Sequence, residues 1–249
     1  YQGEYIVLYL DRLIADGKIS TEITLDAGKA ASLNRDQWLA DAAKYFAPLG
    51  IRSILHDQQT DLKNFRTEFD AFFSEATLHE QGRVLGIAEE LKRRGKVRSE
   101  DGAQLFVSTE YGDDKDRVVV RSDGRPTYLL ADIAYHADKV ARGFQTIIDI
   151  WGPDHHGYIA RLSGALKALG FGEHAGESFK VIIAQQVNLL ENGQPVVMSK
   201  RLGKFQTMRD LIEKIPVDVC RYFFVTRGLS THLDFDLTLA LDQSKKNPV

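Results

Sequence analysis

Cysteine is nearly absent, with Cys220 standing alone. A single thiol excludes an intrachain disulfide and any zinc site built on several thiolates, and it suits a reducing compartment. Long apolar runs are missing as well, and none reaches the roughly 20 residues that a membrane-spanning helix needs. The first residues, Tyr1-Gln2-Gly3-Glu4-Tyr5, lack the basic-then-apolar order of a secretory signal. The sequence therefore reads as cytoplasmic, with no membrane partner. Neither sign of charge dominates. The net charge is −3, so any contact with nucleic acid has to come from local basic patches rather than from a globally basic surface. Internal repeats and low-complexity linkers do not occur. A Walker-type phosphate loop is excluded too, because Gly203-Lys204 is followed by Phe205 and no glycine stands five positions before Gly203.

What is present is an ordinary globular composition: 249 residues, 43% hydrophobic and 27% charged, enough for one large or two modest domains with a real core. The first third reads as helical. Ile6, Leu10, Leu13 and Ile14 form a stripe that ends before Gly17, Leu33 to Ala47 form a second, and Leu62, Phe65 and Phe69 suggest a third. Thr77 and Glu80 make a capping box, and Val84, Ile87, Ala88 and Leu91 line the face of a helix closing at Gly95. The basic patch Lys92 to Arg98 is either a solvated helix end or a nucleic-acid contact, the first being the plainer reading. From Ala103 to Val107 and Arg117 to Val120 the pattern is that of a hairpin around the charged turn Gly112 to Asp116. Pro126-Thr127 then opens a helix that sets Tyr128, Asp132 and Tyr135 on one face.

The most legible part begins at Gln145. Thr146 to Trp151 is an apolar run that predicts a buried strand, Tyr158 to Leu169 an amphipathic helix stopped by Gly170, and Phe179 to Ala184 a second strand. Strand, helix and strand at this spacing make a βαβ unit with parallel strands, whose carboxyl ends share one edge where ligands of α/β sheets bind. The turn Gly152-Pro153-Asp154-His155-His156 and a loop from Gln185 through Lys204 should face one cleft there. Within that loop lies Val197-Met198-Ser199-Lys200-Arg201-Leu202-Gly203-Lys204. Taken alone it reads as a solvated surface turn, but a lysine on a bendable loop can also neutralise phosphate charge in a transition state. Beyond it, Met208 to Ile212, Val217 to Val225 and Thr238 to Gln243 read as helices, with Pro216 between the first two.

His155 and His156 are weak candidates for a metal, since adjacent side chains diverge and no third ligand is spaced to join them. No metal site is expected. At a helix start, an imidazole and Asp154 can bond a ribose hydroxyl or another polar substrate group. Asp132 is either a surface carboxylate favoured by its helix dipole or, with Tyr128 one turn before it, a carboxylate-and-ring seat for a guanidinium.

Several long stretches together resemble arginyl-tRNA synthetases, a branch of the class I aminoacyl-tRNA synthetases. They are Tyr1 to Ile6, Gly112 to Val118, Arg121 to His136, Trp151 to Tyr158, Met198 to Gly203 and His232 to Asp236, in the family's order. The resemblance implies an α/β fold: part of a Rossmann-like parallel nucleotide-binding sheet with a helical insertion and the start of a C-terminal helical domain. Residues 1–95 would be the mainly helical segment and insertion, 96–212 the second half of the catalytic domain, and 213–249 the start of the stem-contact and anticodon-binding region. It implies activation of L-arginine by ATP, with Mg2+, to arginyl-adenylate, and transfer to tRNA(Arg). Tyr128, Asp132 and His155 would hold arginine, and Asp154, Gln186, Val187 and Asn188 would border the adenosine. Met198, Ser199, Lys200 and Arg201 correspond to the mobile Lys-Met-Ser-Lys-Ser signature, with Lys200 steadying the triphosphate. Two features depart from the family. Val197 replaces the first signature lysine, and none of the seven histidines lies in a His-x-Gly-His motif. That motif should precede Tyr1, and the anticodon-binding domain should follow Val249. The rival readings are a non-catalytic fragment that binds arginine or adenosine, and a related class I nucleotidyltransferase, which would have no use for Tyr128 and Asp132.

Overall fold

The computed structural model describes residues 11–17, 35–172, 176–196 and 207–242. In chain order its elements are helices α1 (Arg35–Asn64), α2 (Ala76–Glu80) and α3 (Arg83–Arg93), then strands β1 (Val97–Glu100), β2 (Ala103–Phe106) and β3 (Arg117–Val120). Helix α4 (Tyr128–Ala141), strand β4 (Thr146–Trp151), helix α5 (Ile159–Ala168) and strand β5 (Ser178–Ile183) follow. The remainder comprises β6 (Val187–Glu191), β7 (Gln194–Pro195), α6 (Met208–Lys214), α7 (Val217–Val225), β8 (Leu233–Asp236) and α8 (Leu237–Leu241). The chain divides into two compact units, one of Ala71–Val187 with Arg227–Leu233, the other of Tyr1–Asp70, Asn188–Thr226 and Asp234–Val249.

The first unit is mixed α/β. Its β4 and β5 pair in parallel without a register shift, from Thr146 opposite Ser178 to Trp151 opposite Ile183. The βαβ reading of this stretch is therefore correct, and the chain leaves both strands at one edge. The apolar run of β4 is not buried on both faces, however. Ile147 and Asp149 are buried while Ile148 and Ile150 are 53% and 64% exposed, because Leu166, Phe171, Val140 and Phe179 pack beneath Ile147. Among the described residues β4 and β5 form a two-stranded sheet.

Helix α4 crosses the core. Leu129, Leu130, Ile133 and Ala134 are buried along it, each large side chain worth about 1.5–3 kcal/mol on leaving water. Its first turn is pinned by Thr127, whose hydroxyl donates to the carbonyls of Val118 and Val119 at 3.0 and 3.2 Å rather than capping the helix. The turn before it closes through Arg121 N–H to the Arg125 carbonyl, 2.9 Å, with Gly124 at φ 82°. On the opposite side α5 approaches a short turn of 3₁₀ helix at Ser108–Tyr111, so closely that a Cβ on Gly164 would lie 2.6 Å from the Tyr111 Cβ.

Several expectations require correction. Strand β2 does pair with β3 in antiparallel fashion, but a third strand, β1, joins them, and the connection holds the 3₁₀ turn rather than a tight hairpin. No capping box forms at Thr77 and Glu80, since the Thr77 hydroxyl lies inside α2 and donates to the Ser74 carbonyl at 2.6 Å. Gly82, at φ 68°, separates α2 from α3. The box occurs instead at Thr207 and Asp210, opening α6. The basic patch from Lys92 is neutralised locally: Arg93 and Arg94 pair with Glu90, Lys96 with Glu110, and Arg98 with Asp116. Residues 187–195, read as loop, form β6 and β7 around Asn192-Gly193, both at positive φ.

In the second unit, the two helices expected between Ala30 and Phe69 are one, α1, which runs through Pro48. A proline removes one backbone hydrogen bond, a local loss that a helix of 30 residues absorbs. Phe65 is buried just past its end, while Phe69 is 57% exposed. Arg209 donates to Asp61 at 2.8 Å and Arg221 to the Phe65 carbonyl at 3.1 Å. Phe223 and Phe224 pack on Phe235 with ring centroids 5.1 and 5.6 Å apart. Cys220 lies in this core, and burial pushes its thiol up, which leaves it an inert apolar group. Of the expected N-terminal helix, residues 11–15 are described and are helical.

Candidate functional site

An open cleft of about 460 Å³ lies at the carboxyl end of β4, in the first unit. Three elements build it. Helix α4 contributes Asp132, Tyr135, His136 and Lys139, whose spacing of three, four and seven residues places them on one face. Strand β4 contributes Ile148 to Trp151, and a 3₁₀ turn at Pro153–Tyr158 contributes His155 and Tyr158. The turn forms where Gly152 leaves the strand in an extended conformation and Pro153 starts the helical bend. The helix expected from Tyr158 is thus preceded by a 3₁₀ turn and runs as α5 from Ile159.

Aromatic rings line the cleft. Trp151 lies 5.7 Å from Tyr158 and 6.3 Å from His155, both edge-on. The Tyr158 hydroxyl donates to Asp132 Oδ2 at 2.7 Å. Burial first, and the Asp132 carboxylate second, push the Tyr158 phenol far up, so it stays a donor at every physiological pH. Among the described residues no lysine, arginine or histidine forms an ion pair with Asp132. It is a carboxylate with one oxygen committed to a phenol, set between rings, and a flat cation can approach the other oxygen.

At the floor of the cleft, Asp149 Oδ2 lies 2.7 Å from His136 Nε2, and its Oδ1 accepts from Lys139 Nζ at 3.0 Å. Burial pushes the Asp149 carboxyl up, but the bonds from His136 and Lys139 outweigh it and hold the group below the usual range. Asp149 is the charged exception on the covered face of β4, and these two partners are what make its burial tolerable.

The structure brings together two of the three residues expected to hold arginine, Asp132 and His155. Tyr128 opens α4, is 84% exposed and is not part of the cleft wall. Asp154 and His156 are exposed on the 3₁₀ turn. Gln186 is exposed just past β5, Val187 opens β6, and Asn188 in β6 donates its amide to Asp234 at 2.8 Å. Val197, Met198, Ser199, Lys200 and Arg201 lie outside the described residues. Sequence reasoning missed Tyr158, His136, Lys139 and Asp149. The signal for three of them was available: polar residues at 132, 136 and 139 recurring on one face of a helix, and one acid inside an apolar strand.

Comparison with known proteins supplies the context. The family model for tRNA synthetases class I (R), catalytic domain, matches residues 37–215. An arginine–tRNA ligase of Leptospira interrogans is 55% identical over 252 residues, covering all of this chain and 41% of the relative. One from Leptospira biflexa is 51% identical over the same length and coverage. A solved structure from Campylobacter jejuni that carries an arginyl-tRNA synthetase assignment superposes with a TM-score of 0.80 at 35% identity, over all of this chain and 50% of that one. The chain thus spans about two-fifths of the length of these curated relatives, 41%.

Proposed function

The chain belongs to the class I tRNA synthetase (R) catalytic-domain family, and from that premise we propose that it is the amino-acid-selecting part of an arginine–tRNA ligase. Such an enzyme joins the arginine carboxylate to the α-phosphate of ATP, releases pyrophosphate, and passes the arginyl group to a ribose hydroxyl at the end of tRNA(Arg). The observation that carries the reading is Asp132, an acid among rings with a phenol on one oxygen and no cation partner among the described residues.

In this reading the guanidinium lies against Asp132 beside the Trp151 and Tyr158 rings, and His155 closes one side. Tyr128, one turn before Asp132 on α4, would meet the substrate from the solvent side. A guanidinium is always charged, planar and weakly hydrated, which suits a site that offers a carboxylate and ring faces. Asp154, Gln186, Val187 and Asn188 would border the adenosine, and Lys200 with Met198, Ser199 and Arg201 would meet the triphosphate. Magnesium would arrive with that triphosphate as part of the substrate. Among the described residues no group of three or more His, Cys, Asp or Glu is placed to hold a metal. The sheet fragment would belong to a larger nucleotide-binding domain, with residues 96–212 forming its second half, residues 1–95 an insertion and residues 213–249 the start of a helical domain. The described residues include no helix long and apolar enough to cross a membrane, and a cytoplasmic site of action fits that.

A chimera tests the reading, with this chain replacing the matching segment of the Leptospira interrogans ligase. The expected result is arginine-dependent charging of tRNA(Arg). A folded chimera that charges no tRNA with arginine would contradict it.

A further inference from the structure

His136 is one of the least accessible polar groups in the first unit, and no step described so far uses it. Its side chain is 5% exposed. Nδ1 lies 2.8 Å from the backbone carbonyl of Asp132, one helical turn back, and Nε2 lies 2.7 Å from Asp149 Oδ2. A carbonyl oxygen can only accept a hydrogen bond. Nδ1 therefore donates to the Asp132 carbonyl, while Nε2 faces Asp149 and lies 3.5 Å from Lys139 Nζ, so the ring bridges α4 to β4. Lys139 neutralises the second oxygen of Asp149 from one turn further on, 3.0 Å away. The ring is also walled in. Tyr135 and Phe179 meet it edge-on at centroid distances of 5.7 and 5.5 Å, and Lys139 Nζ sits 4.5 Å over the Tyr135 ring.

We infer that His136 is a positioning residue for substrate selection: through its bonds to the Asp132 carbonyl and to Asp149 it fixes the turn of α4 that presents the Asp132 carboxylate to the guanidinium of arginine. The inference rests on the function proposed above. Asp132 is held at two points by different elements, its carboxylate by Tyr158 and its backbone by His136. A carboxylate so fixed needs no rearrangement when the cation arrives, and fixed geometry favours the one flat group whose donors match it. Lys139 and Asp149 act one step further out. They hold the histidine, and the histidine holds the turn. The Asp132 carbonyl would otherwise be served only by the helical N–H of residue 136, a bond found in any α-helix, and the tie of α4 to β4 would rest on Lys139, one turn further from Asp132.

The experiment measures ATP–pyrophosphate exchange in the chimera carrying this chain, in three variants with melting followed for each. His136→Ala should raise the KM for arginine by roughly tenfold or more, the effect of losing a charge-assisted bond, with kcat and the KM for ATP little changed. His136→Gln, whose amide can still donate toward Asp149, should recover part of that loss. Leu91→Ala removes a fully buried side chain of α3 from the same core without touching the Asp132 turn. It should lower the melting temperature while leaving the KM for arginine alone. An unchanged arginine KM in folded His136→Ala overturns the inference and leaves the ligase reading standing. So does an equal rise in Leu91→Ala, or a loss shared equally between arginine and ATP. If the unsubstituted chimera folds but shows no exchange, the ligase reading fails and takes this inference with it.

Discussion

In the proposed site, single residues divide between those that would fix geometry and those that would meet substrate, and substitution should separate the two. Tyr158→Phe removes the phenol from Asp132 but keeps the ring that lines the cleft. A hydrogen bond to a charged group is worth about 1.5–3 kcal/mol, so the arginine KM in the chimera should rise by roughly ten- to a hundredfold while the ATP KM stays put. Steady-state exchange at varied arginine checks this, and an unchanged KM would show that the bond is incidental. Lys200 is proposed for the opposite class. If its charge is needed mainly as pyrophosphate departs, Lys200→Ala should lower the rate of adenylate formation by about a hundredfold, near 3 kcal/mol, with little effect on arginine affinity. A pre-steady-state rate within twofold of the unsubstituted chimera would remove it from that role. Asp132 and His155, which line the cleft, stood out in the sequence because each sits in a long motif; Lys200 sits in one too but lies outside the described residues. Tyr158 and His136 were not, because their importance is a matter of which side chain meets which across two elements, and spacing along one element does not report that.

Among the described residues, a close approach between elements and a charge cluster each have a measurable consequence. At Gly164, alanine would improve helix propensity by about 1 kcal/mol, yet its Cβ would meet Tyr111 Cβ at 2.6 Å. Overpacking costs about 1–3 kcal/mol and the neighbour is an atom fixed to the backbone, so Gly164→Ala should destabilise on balance. A higher melting temperature in calorimetry would contradict this. Where the loop from β2 enters β3, Arg117 donates to both oxygens of Asp113, at 2.7 and 2.8 Å, and Ser108 adds a third bond. Arg117 above all holds the Asp113 carboxyl far below the usual carboxylate range, against a smaller opposing push from burial. The unfolded chain therefore binds this proton first as pH falls. Stability from the pair is complete above the ordinary aspartate value near ~3.9 and declines as pH drops below it. Asp113→Asn should flatten the fall in denaturant-midpoint stability in that acid window, and an unaltered slope would mean that another group governs it. The parallel pair β4 and β5 was readable from its apolar runs. Strand β1 was hidden because charged residues such as Arg98 and Glu100 fill half of it, and β6 and β7 because they are short runs on either side of the Asn192-Gly193 turn whose state pairing decides.

At the scale of the whole molecule, the described chain divides into two compact units and covers 41% of the length of its curated relatives. The family was legible because its motifs are long and ordered. The faces of the sheet were not, because an apolar run such as Thr146 to Trp151 reads alike whether one side or both are covered. The central claim is that the Asp132 cleft selects a guanidinium. The direct measurement is exchange by the chimera with arginine, citrulline and ornithine as alternative substrates, repeated with Asp132→Asn. Breaking a buried pair commonly costs about 3–5 kcal/mol, so arginine should be preferred by roughly a hundredfold or more. Asp132→Asn should raise the arginine KM by a similar factor with the ATP KM nearly constant. Citrulline used within a few-fold of arginine, or an Asp132→Asn variant with an unchanged arginine KM, would contradict the account.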